Sequence, residues 1–434
     1  MNKRILKLAV PNIISNLSVP LVGIVDIALM GHQDDAAYIG AIALGSTVFT
    51  FIYAGLLFLR MGTSGFTAQN RGARNLDESF LVLGRSLTLA MVFGFLLIAI
   101  QTPVSWMAFH FLEGSESVKN IAGEYFRTRI WAAPATLGLY AITGWYIGMQ
   151  DAKTPMWITL TVNIVNIGFS LLFILAFDMK AKGVALGTVI GQYTGLIIAG
   201  IFLLRQSERI KRIWSWLKIL NKKALKVFMN VNKDILIRSV LLTGSFYYFN
   251  AKSAGLGEEI LAVNSILLQF LWIFSYFIDG FAFAAEALTG KYIGAKDTGN
   301  LKLAIRQLFV WGFAVSLMVT LIYAIFNPGI IHMLTSQSAV IELSREYRFW
   351  VIFLPLISFS AFVWDGIYIG ATEGPALRNA MIISTLLIFI PALYLFPVWW
   401  GNHGMWGALC LFMFARGFSL LLYYPKTILK NAKR

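Results

Sequence analysis

The sequence predicts an all-α polytopic membrane protein: twelve transmembrane helices in two six-helix lobes, related by a pseudo-two-fold along the membrane normal. Three observations predict it. First, the 434 residues are 58% hydrophobic and only 13% charged, with mean hydropathy +0.71, whereas soluble domains carry roughly 25% charged residues. Second, charge-free runs recur at the length of membrane spans. Third, the second half of the chain repeats the first at a fixed offset. Two or three soluble domains of this total length would need a polar skin that the composition cannot supply.

Residues 36–59, 86–112, 130–150, 154–177, 183–204, 260–278, 307–341 and 379–415 contain no Asp, Glu, Lys or Arg. About 20 apolar residues make one crossing, so the two longest runs overrun a single span. Turns are expected within them at Asn327–Pro328–Gly329 and at Gly401–Asn402–His403–Gly404. Helices interrupted by single charges bring the total to twelve, centred near Pro20, Val48, Ala90, Leu137, Val165, Val189, Leu241, Phe270, Phe313, Ile357, Leu387 and Leu411.

Charge placement orients the spans. With the N-terminus inside, 25 of the 36 Lys and Arg fall in cytoplasmic segments and 8 in outer loops, Arg129 among the latter. Such a bias places both termini in the cytoplasm and the protein in the inner or plasma membrane. Arg60, Arg238 and Arg416 remain within or at the edges of spans. The net charge of +15 sits in short clusters between apolar runs, as an anionic membrane surface requires, and not as a nucleic-acid face. Met1–Lys7 is basic, but Pro11, Pro20 and Asp26 interrupt the apolar run after it. That run reads as a first span kept in the mature protein, not as a cleaved signal. Cys410 is the sole cysteine, which excludes an internal disulfide.

The repeat offset is 222. Glu124–Tyr125 and Gly144–Trp145–Tyr146–Ile147–Gly148 match Glu346–Tyr347 and Gly366–Ile367–Tyr368–Ile369–Gly370, and Gly72–Ala73 matches Gly294–Ala295. Six spans per half point both halves the same way, a parallel repeat common among transporters. The expected organisation is an N-lobe over 1–206, a cytoplasmic amphipathic linker over 207–226 and a C-lobe over 227–434. The linker carries Ile210, Ile213, Trp214, Trp216 and Leu217 among basic residues. Gly183, Gly187, Gly191 and Gly195 lie four apart on one face of span six, a pattern for close helix packing.

Polar groups inside spans are costly and mark function. Asp26 lies in span one, which Pro11 and Pro20 should bend. Asn163 and Asn166 share a face of span five, and Thr188 stands in span six of the same half. Together they can form a hydrated cavity where Asp26 takes and releases a proton or a sodium ion; helix-to-helix bonding by the same groups is the plainer alternative. In the second half, Asp279 and Glu286 are seven apart on span eight and Asp365 lies in span ten. These are candidates for contact with substrate or a second ion. Asp234 and Arg238, at i and i+4, are expected to pair. There is no phosphate loop, the four histidines lack metal-ligand spacing and no nucleophile motif is present.

Six stretches in order resemble the multidrug and toxic compound extrusion (MATE) family along essentially the whole chain. They are Val25–Asp26, residues Thr67 to Ala73, Asn163 with Asn166, residues Gly183 to Thr188, residues Phe277 to Glu286 and residues Trp364 to Thr372. The last two resemble the DinF-like branch. The resemblance implies two lobes forming a V, alternating access, and export of amphipathic, often cationic compounds against H⁺ or Na⁺. It also implies that Pro11, Asp26, Asn166 and Thr188 surround the coupling ion. Many members carry an Asp one turn after the second Asn; here that residue is Ser170, which leaves Asp26 as the only acid in the first-lobe cavity.

The expected function is therefore multidrug efflux by a secondary antiporter, not an enzyme, coupled to H⁺ in preference to Na⁺ through Asp26. No cofactor and no metal is expected, unless Na⁺ occupies the Asp26 site. The expected partners are small organic substrates, the coupling ion and the lipid bilayer, with no nucleic acid, and the chain is expected to be monomeric. Two alternatives stand beside this: a flippase for a lipid-linked precursor, which needs a large basic cavity, and a membrane-embedded lipid-modifying enzyme, which needs a reactive constellation.

Overall fold

The structure is a computed structural model that describes residues 1–32, 35, 37–205, 213 and 215–431. Among these the regular structure is helical throughout, as it must be where lipid offers backbone groups no partner. Span one is Asn2–Gly31. Span two is Ala37–Leu56 continued by Phe58–Gly72, and span three is Leu76–Ala99 continued by Gln101–Phe111. Span four joins Glu116–Arg129 to Ala133–Gly148 through one 3₁₀ turn. Spans five and six are Lys153–Leu175 and Lys180–Leu204. Spans seven to ten are Lys222–Ala254, Glu258–Gly294, Thr298–Leu334 and Ser338–Gly370. Span eleven runs from Gly374 through a π-helical stretch at Ile383–Phe389, and span twelve ends at Tyr423.

The expected turn between spans eleven and twelve exists: Gly401 sits at φ 52°, breaking an otherwise continuous helix. The turn expected at Asn327–Pro328–Gly329 does not. Span nine stays helical through Pro328 to Leu334, because a proline two turns from a helix end removes one hydrogen bond and leaves its neighbours intact. Span one likewise remains helical through Pro11 and Pro20. Side chains of Asn12, Ser15 and Ser18 donate to the carbonyls of Leu8, Pro11 and Ser15 along that helix.

The repeat is visible in the packing. Gly144 and Gly148 of span four press on the carbonyl oxygens of Arg60 and Ser64 in span two. Gly366 and Gly370 of span ten press on those of Ala282 and Glu286 in span eight. Each pair of partners differs by 222, and a Cβ at any of the four glycines would come under 3.0 Å from the oxygen. Contacts across the lobes are reciprocal: Gly72 meets the Lys291 carbonyl and Gly294 meets the Gln69 carbonyl. Such an exchange is what an axis along the bundle produces. The helix ends obey it too. Arg74 and Lys296 take left-handed φ of 58° and 54°, Gln150 and Thr372 of 56° and 54°. The amides of Asn75 and Asp297 then close back on the carbonyls of Asn70 and Tyr292, both at 2.9 Å, and those of Asp151 and Glu373 on Tyr146 and Tyr368, a Schellman-type ending used twice in each lobe.

All these interlobe contacts lie at the end of the bundle that carries the N-terminus. Span one packs along span eight, where its Asn16 amide donates to the Tyr276 carbonyl at 3.3 Å. Gln69 Nε2 donates to the Gly370 carbonyl and to Thr372 Oγ1, both at 3.1 Å. In the N-lobe, the glycine face of span six lies on span five, with Gly187 against Ser170 and Gly191 against the Val162 carbonyl. Branched and aromatic side chains such as Ile24, Phe95, Trp106, Leu317 and Ile325 face outward, toward lipid.

Of the linker residues, Ile210 and Trp214 lie outside the described residues. Ile213 and Ile219 are buried while Trp216 and Leu217 are exposed. Arg85 of span three anchors the segment by donating from Nε to the Ile219 carbonyl and from Nη2 to the Lys218 carbonyl, both at 3.2 Å.

Gly366→Ala is expected to destabilise the protein by roughly 1–3 kcal/mol, because its methyl must displace backbone and not a flexible side chain. Gly23→Ala, where nothing lies within 4 Å, should leave stability unchanged or slightly raised. Thermal unfolding of both variants in detergent compares them directly.

Candidate functional site

Spans one, five and six divide the predicted N-lobe groups into three, and Asp26 is not among the residues lining the cavity that Asn163 and Thr188 border. Asn163 Nδ2 donates to Ser18 Oγ at 2.8 Å, tying span five to span one. Asn166 Nδ2 donates to Thr188 Oγ1 at 3.1 Å, and Ser170 Oγ donates to Asn166 Oδ1 at 3.3 Å. Thr188 in turn donates to the Val184 carbonyl at 3.1 Å. Asp26 stands apart from this chain. It is buried, and its Oδ1 has no hydrogen-bond partner. Pro11 contributes only a carbonyl, accepting the Ser15 hydroxyl.

A cavity of about 520 Å³ lies between these spans and the second lobe. Asn163 and Thr188 line it, with Asn12 and Asn16 of span one, Tyr53 and Tyr140. Arg129 lines it as well, which corrects its assignment to an outer loop. The guanidinium lies over the Phe49 ring at 4.8 Å, donates to Ser46 Oγ at 3.3 Å and to the Tyr125 hydroxyl, and falls within electrostatic reach of Asp26. The helical part of span four begins fourteen residues before the charge-free run, at Glu116, so this arginine enters the membrane. Its one sequence signal was the i, i+4 spacing from Tyr125.

The second lobe holds its charges differently. Asp365 Oδ2 accepts from Arg238 Nη2 at 2.5 Å and from Arg416 Nη2 at 2.7 Å. Arg60 crosses from span two to Glu286 of span eight at 3.4 Å and lies over the Phe283 ring at 4.1 Å. The expected Asp234–Arg238 pair is not formed. Asp234 instead binds Arg378 at 2.7 Å, because Arg238 is drawn to the carboxylate shared with Arg416. Asp279 is half-buried and, among the described residues, makes no hydrogen bond or ion pair. It lines the large cavity and also a second one of about 240 Å³ bordered by Arg238, Asp365 and Arg416. The two cavities share Leu57, Arg60, Met61, Asp279 and Phe283.

No group of three or more His, Cys, Asp or Glu able to hold a metal occurs among the described residues. His403 is engaged by Trp350 Nε1 at 3.0 Å, and Cys410 is buried. Neither presents a nucleophile to a cavity.

The MatE family model matches residues 11–172 and again 235–395, one copy in each lobe. DNA damage-inducible protein F of Escherichia coli (strain K12) is 36% identical over 420 residues, covering 96% of this chain and 91% of that protein. The probable multidrug resistance protein NorM of Thermotoga maritima is 24% identical over 358 residues, covering 80% of this chain and 75% of its own. Among solved structures, a MOP superfamily transporter from Pyrococcus furiosus superposes with a TM-score of 0.89 at 20% identity, covering 100% of this chain and 97% of that one. An outward-facing multidrug resistance MATE family transporter gives 0.90 at 19%, covering 99% and 96%. These structures share the twelve-helix, two-lobe fold. The chain belongs to the MatE family: it is a multi-pass membrane transporter of the multidrug and toxin extrusion class, DinF-like in sequence, and not an enzyme.

Proposed function

We propose that this transporter exports amphipathic organic cations in exchange for inward-moving protons, with Asp26 taking up and releasing the proton. The observation that carries the reading is a buried carboxyl whose Oδ1 has no partner, in a lobe where every other candidate polar group is engaged. A sodium ion needs several oxygens turned toward one point. Here Asn166 Oδ1 accepts from Ser170 and Thr188 Oγ1 accepts from Asn166, which favours the proton. When ionised, Asp26 attracts Arg129 across to span one; when protonated, it releases that pull. Pro20, between Asp26 and the contact of span one with span eight, removes one helix bond and gives the outer part of the span freedom to move with it.

In this reading the chain acts as a monomer with both termini cytoplasmic, and the closed end of the bundle faces the cytoplasm. The lobes comprise 1–206 and 227–434, with 207–226 as a linker on the inner leaflet, consistent with its buried Ile213 and exposed Leu217. Asp279 is the contact for the substrate's cation, since of Asp279, Glu286 and Asp365 it alone makes no ion pair and lines both cavities. Asp365 and Glu286 serve to neutralise arginines, and Asn163 holds span one through Ser18.

Proteoliposomes loaded with a fluorescent cation test the coupling. A pH gradient should drive transport, a sodium gradient alone should not, and Asp26→Asn should remove the response to the pH gradient. Undiminished proton-driven transport by Asp26→Asn would refute the assignment. Asp279→Asn should raise KM about tenfold or more, the loss of roughly 1.4 kcal/mol of binding, with the unfolding temperature little changed. Asp365→Asn should behave oppositely. It strands two buried guanidiniums and should cost about 3–5 kcal/mol of stability, read as a lowered unfolding temperature before any assay of transport.

A further inference from the structure

At the end of the bundle that carries the N-terminus, a cleft of about 420 Å³ is lined by Lys7 of span one, Arg71 of span two, and Tyr146, Gln150 and Lys153 around the loop from span four to span five. Lys7 and Lys153 are exposed at its rim and Arg71 is half-buried. Two more cations approach from the lobe interface. Lys291 Nζ donates to Gln150 Oε1 at 3.5 Å, and Arg4 Nη1 donates to the Tyr292 hydroxyl at 3.1 Å. Lys291 feels the charge of both Arg4 and Arg71. Among the described residues none of these five cations has an acid within ion-pair distance. The acid in the cleft, Asp151, holds the start of span five, accepting from the Lys153 and Thr154 amides at 3.1 and 3.2 Å and from the Thr154 hydroxyl at 2.6 Å, and its charge reaches Arg71 and Tyr146 without pairing with either.

A second feature is independent of charge. Tyr146 is 5% exposed and lines the cleft, yet among the described residues its hydroxyl has no hydrogen-bond partner. Trp145 beside it is fully buried, with its ring nitrogen donating to the Ser79 carbonyl at 3.0 Å. The wall is thus packed in place, and the tyrosine that lines the cleft has, among the described residues, no hydrogen-bond partner for its hydroxyl. An arginine, two lysines and a phenol around one space match the several acceptor oxygens of a phosphate group. They do not match a cation or an apolar ligand.

We propose that this cleft binds a phosphate-bearing anion, held by the Arg71 guanidinium and the Tyr146 hydroxyl with Lys7 and Lys153 at the rim. The phosphate comes from an anionic lipid headgroup or from a soluble phosphate, and the bound anion offsets the repulsion among Arg4, Arg71 and Lys291 where the lobes meet. The site does not depend on the role of Asp26.

The test uses the full-length protein in neutral detergent and monitors its thermal unfolding midpoint. Titration with inorganic pyrophosphate or with short-chain phosphatidylglycerol should raise the midpoint saturably. Arg71→Gln and Tyr146→Phe should each weaken half-saturation about tenfold or more, and Lys119→Gln, at the far end of the bundle, should leave it unchanged. Saturation by both probes supports a general phosphate site, and saturation by the lipid alone supports a headgroup site. If neither probe saturates, or if Tyr146→Phe and Arg71→Gln respond as the native protein does, the proposal is wrong. Tyr146→Phe keeps the ring and its packing, so the comparison survives should Arg71→Gln fail to fold.

Discussion

The constraint on which the rest of this structure depends is the cost of leaving charge without a partner in hydrocarbon. Of the four arginines that line the cavities, three are met by a carboxylate from another helix, Arg238 and Arg416 by Asp365 and Arg60 by Glu286, while Arg129 is held by the Ser46 and Tyr125 hydroxyls. These contacts bind spans seven, ten and twelve together and tie the first lobe to the second. Pairing therefore does two things at once. It makes the charges tolerable, and it fixes which helices face the cavities. Against that background the candidate acids that escape pairing stand out: among the described residues, Asp26 in one lobe and Asp279 where the two cavities meet.

Backbone packing supplies the frame within which those pairs form. Without a hydrophobic drive between helices in lipid, close contact depends on small residues. The glycines of spans four and ten let each helix rest on the carbonyls of its neighbour, one of which belongs to Arg60 and another to Glu286. The ion pair between lobes is thus set by two glycine contacts, one on each side of the axis. Gly72 and Gly294 then bring the lobes together reciprocally, so the closed end is built from backbone meeting backbone.

Much of this was legible in the sequence. Span count, the 222-residue repeat and the glycine face of span six depend on periodicity and composition, which are local properties of the chain. Asp26 could be singled out because an acid in an apolar run is anomalous wherever it points. Partners were not legible. Arg238 lies one turn from Asp234 yet reaches Asp365, 127 residues away, because a buried carboxylate shared by two guanidiniums outcompetes a neighbour at a helix spacing. Arg129 was misplaced because loop counting reads charge and position but not how far a helix continues past the apolar run. The helical path through Pro328 was missed for a related reason: turn chemistry is judged from three residues, while helix continuity depends on the turns on either side.

The π-helical stretch of span eleven, Ile383–Phe389, carries a consequence for how the two halves have diverged. Subtracting the repeat offset places it on residues 161–167 of span five, the segment holding Asn163 and Asn166. The two lobes thus spend the same location on different resources. One installs amide side chains in a regular helix, and the other widens the helix itself and keeps its side chains mostly apolar. A wider coil adds a residue per turn and rotates everything beyond it, so span eleven presents a different face to its lobe from the one span five presents. An ancestral pair of identical halves would have had matching windings here; span eleven records one place where the two have since parted.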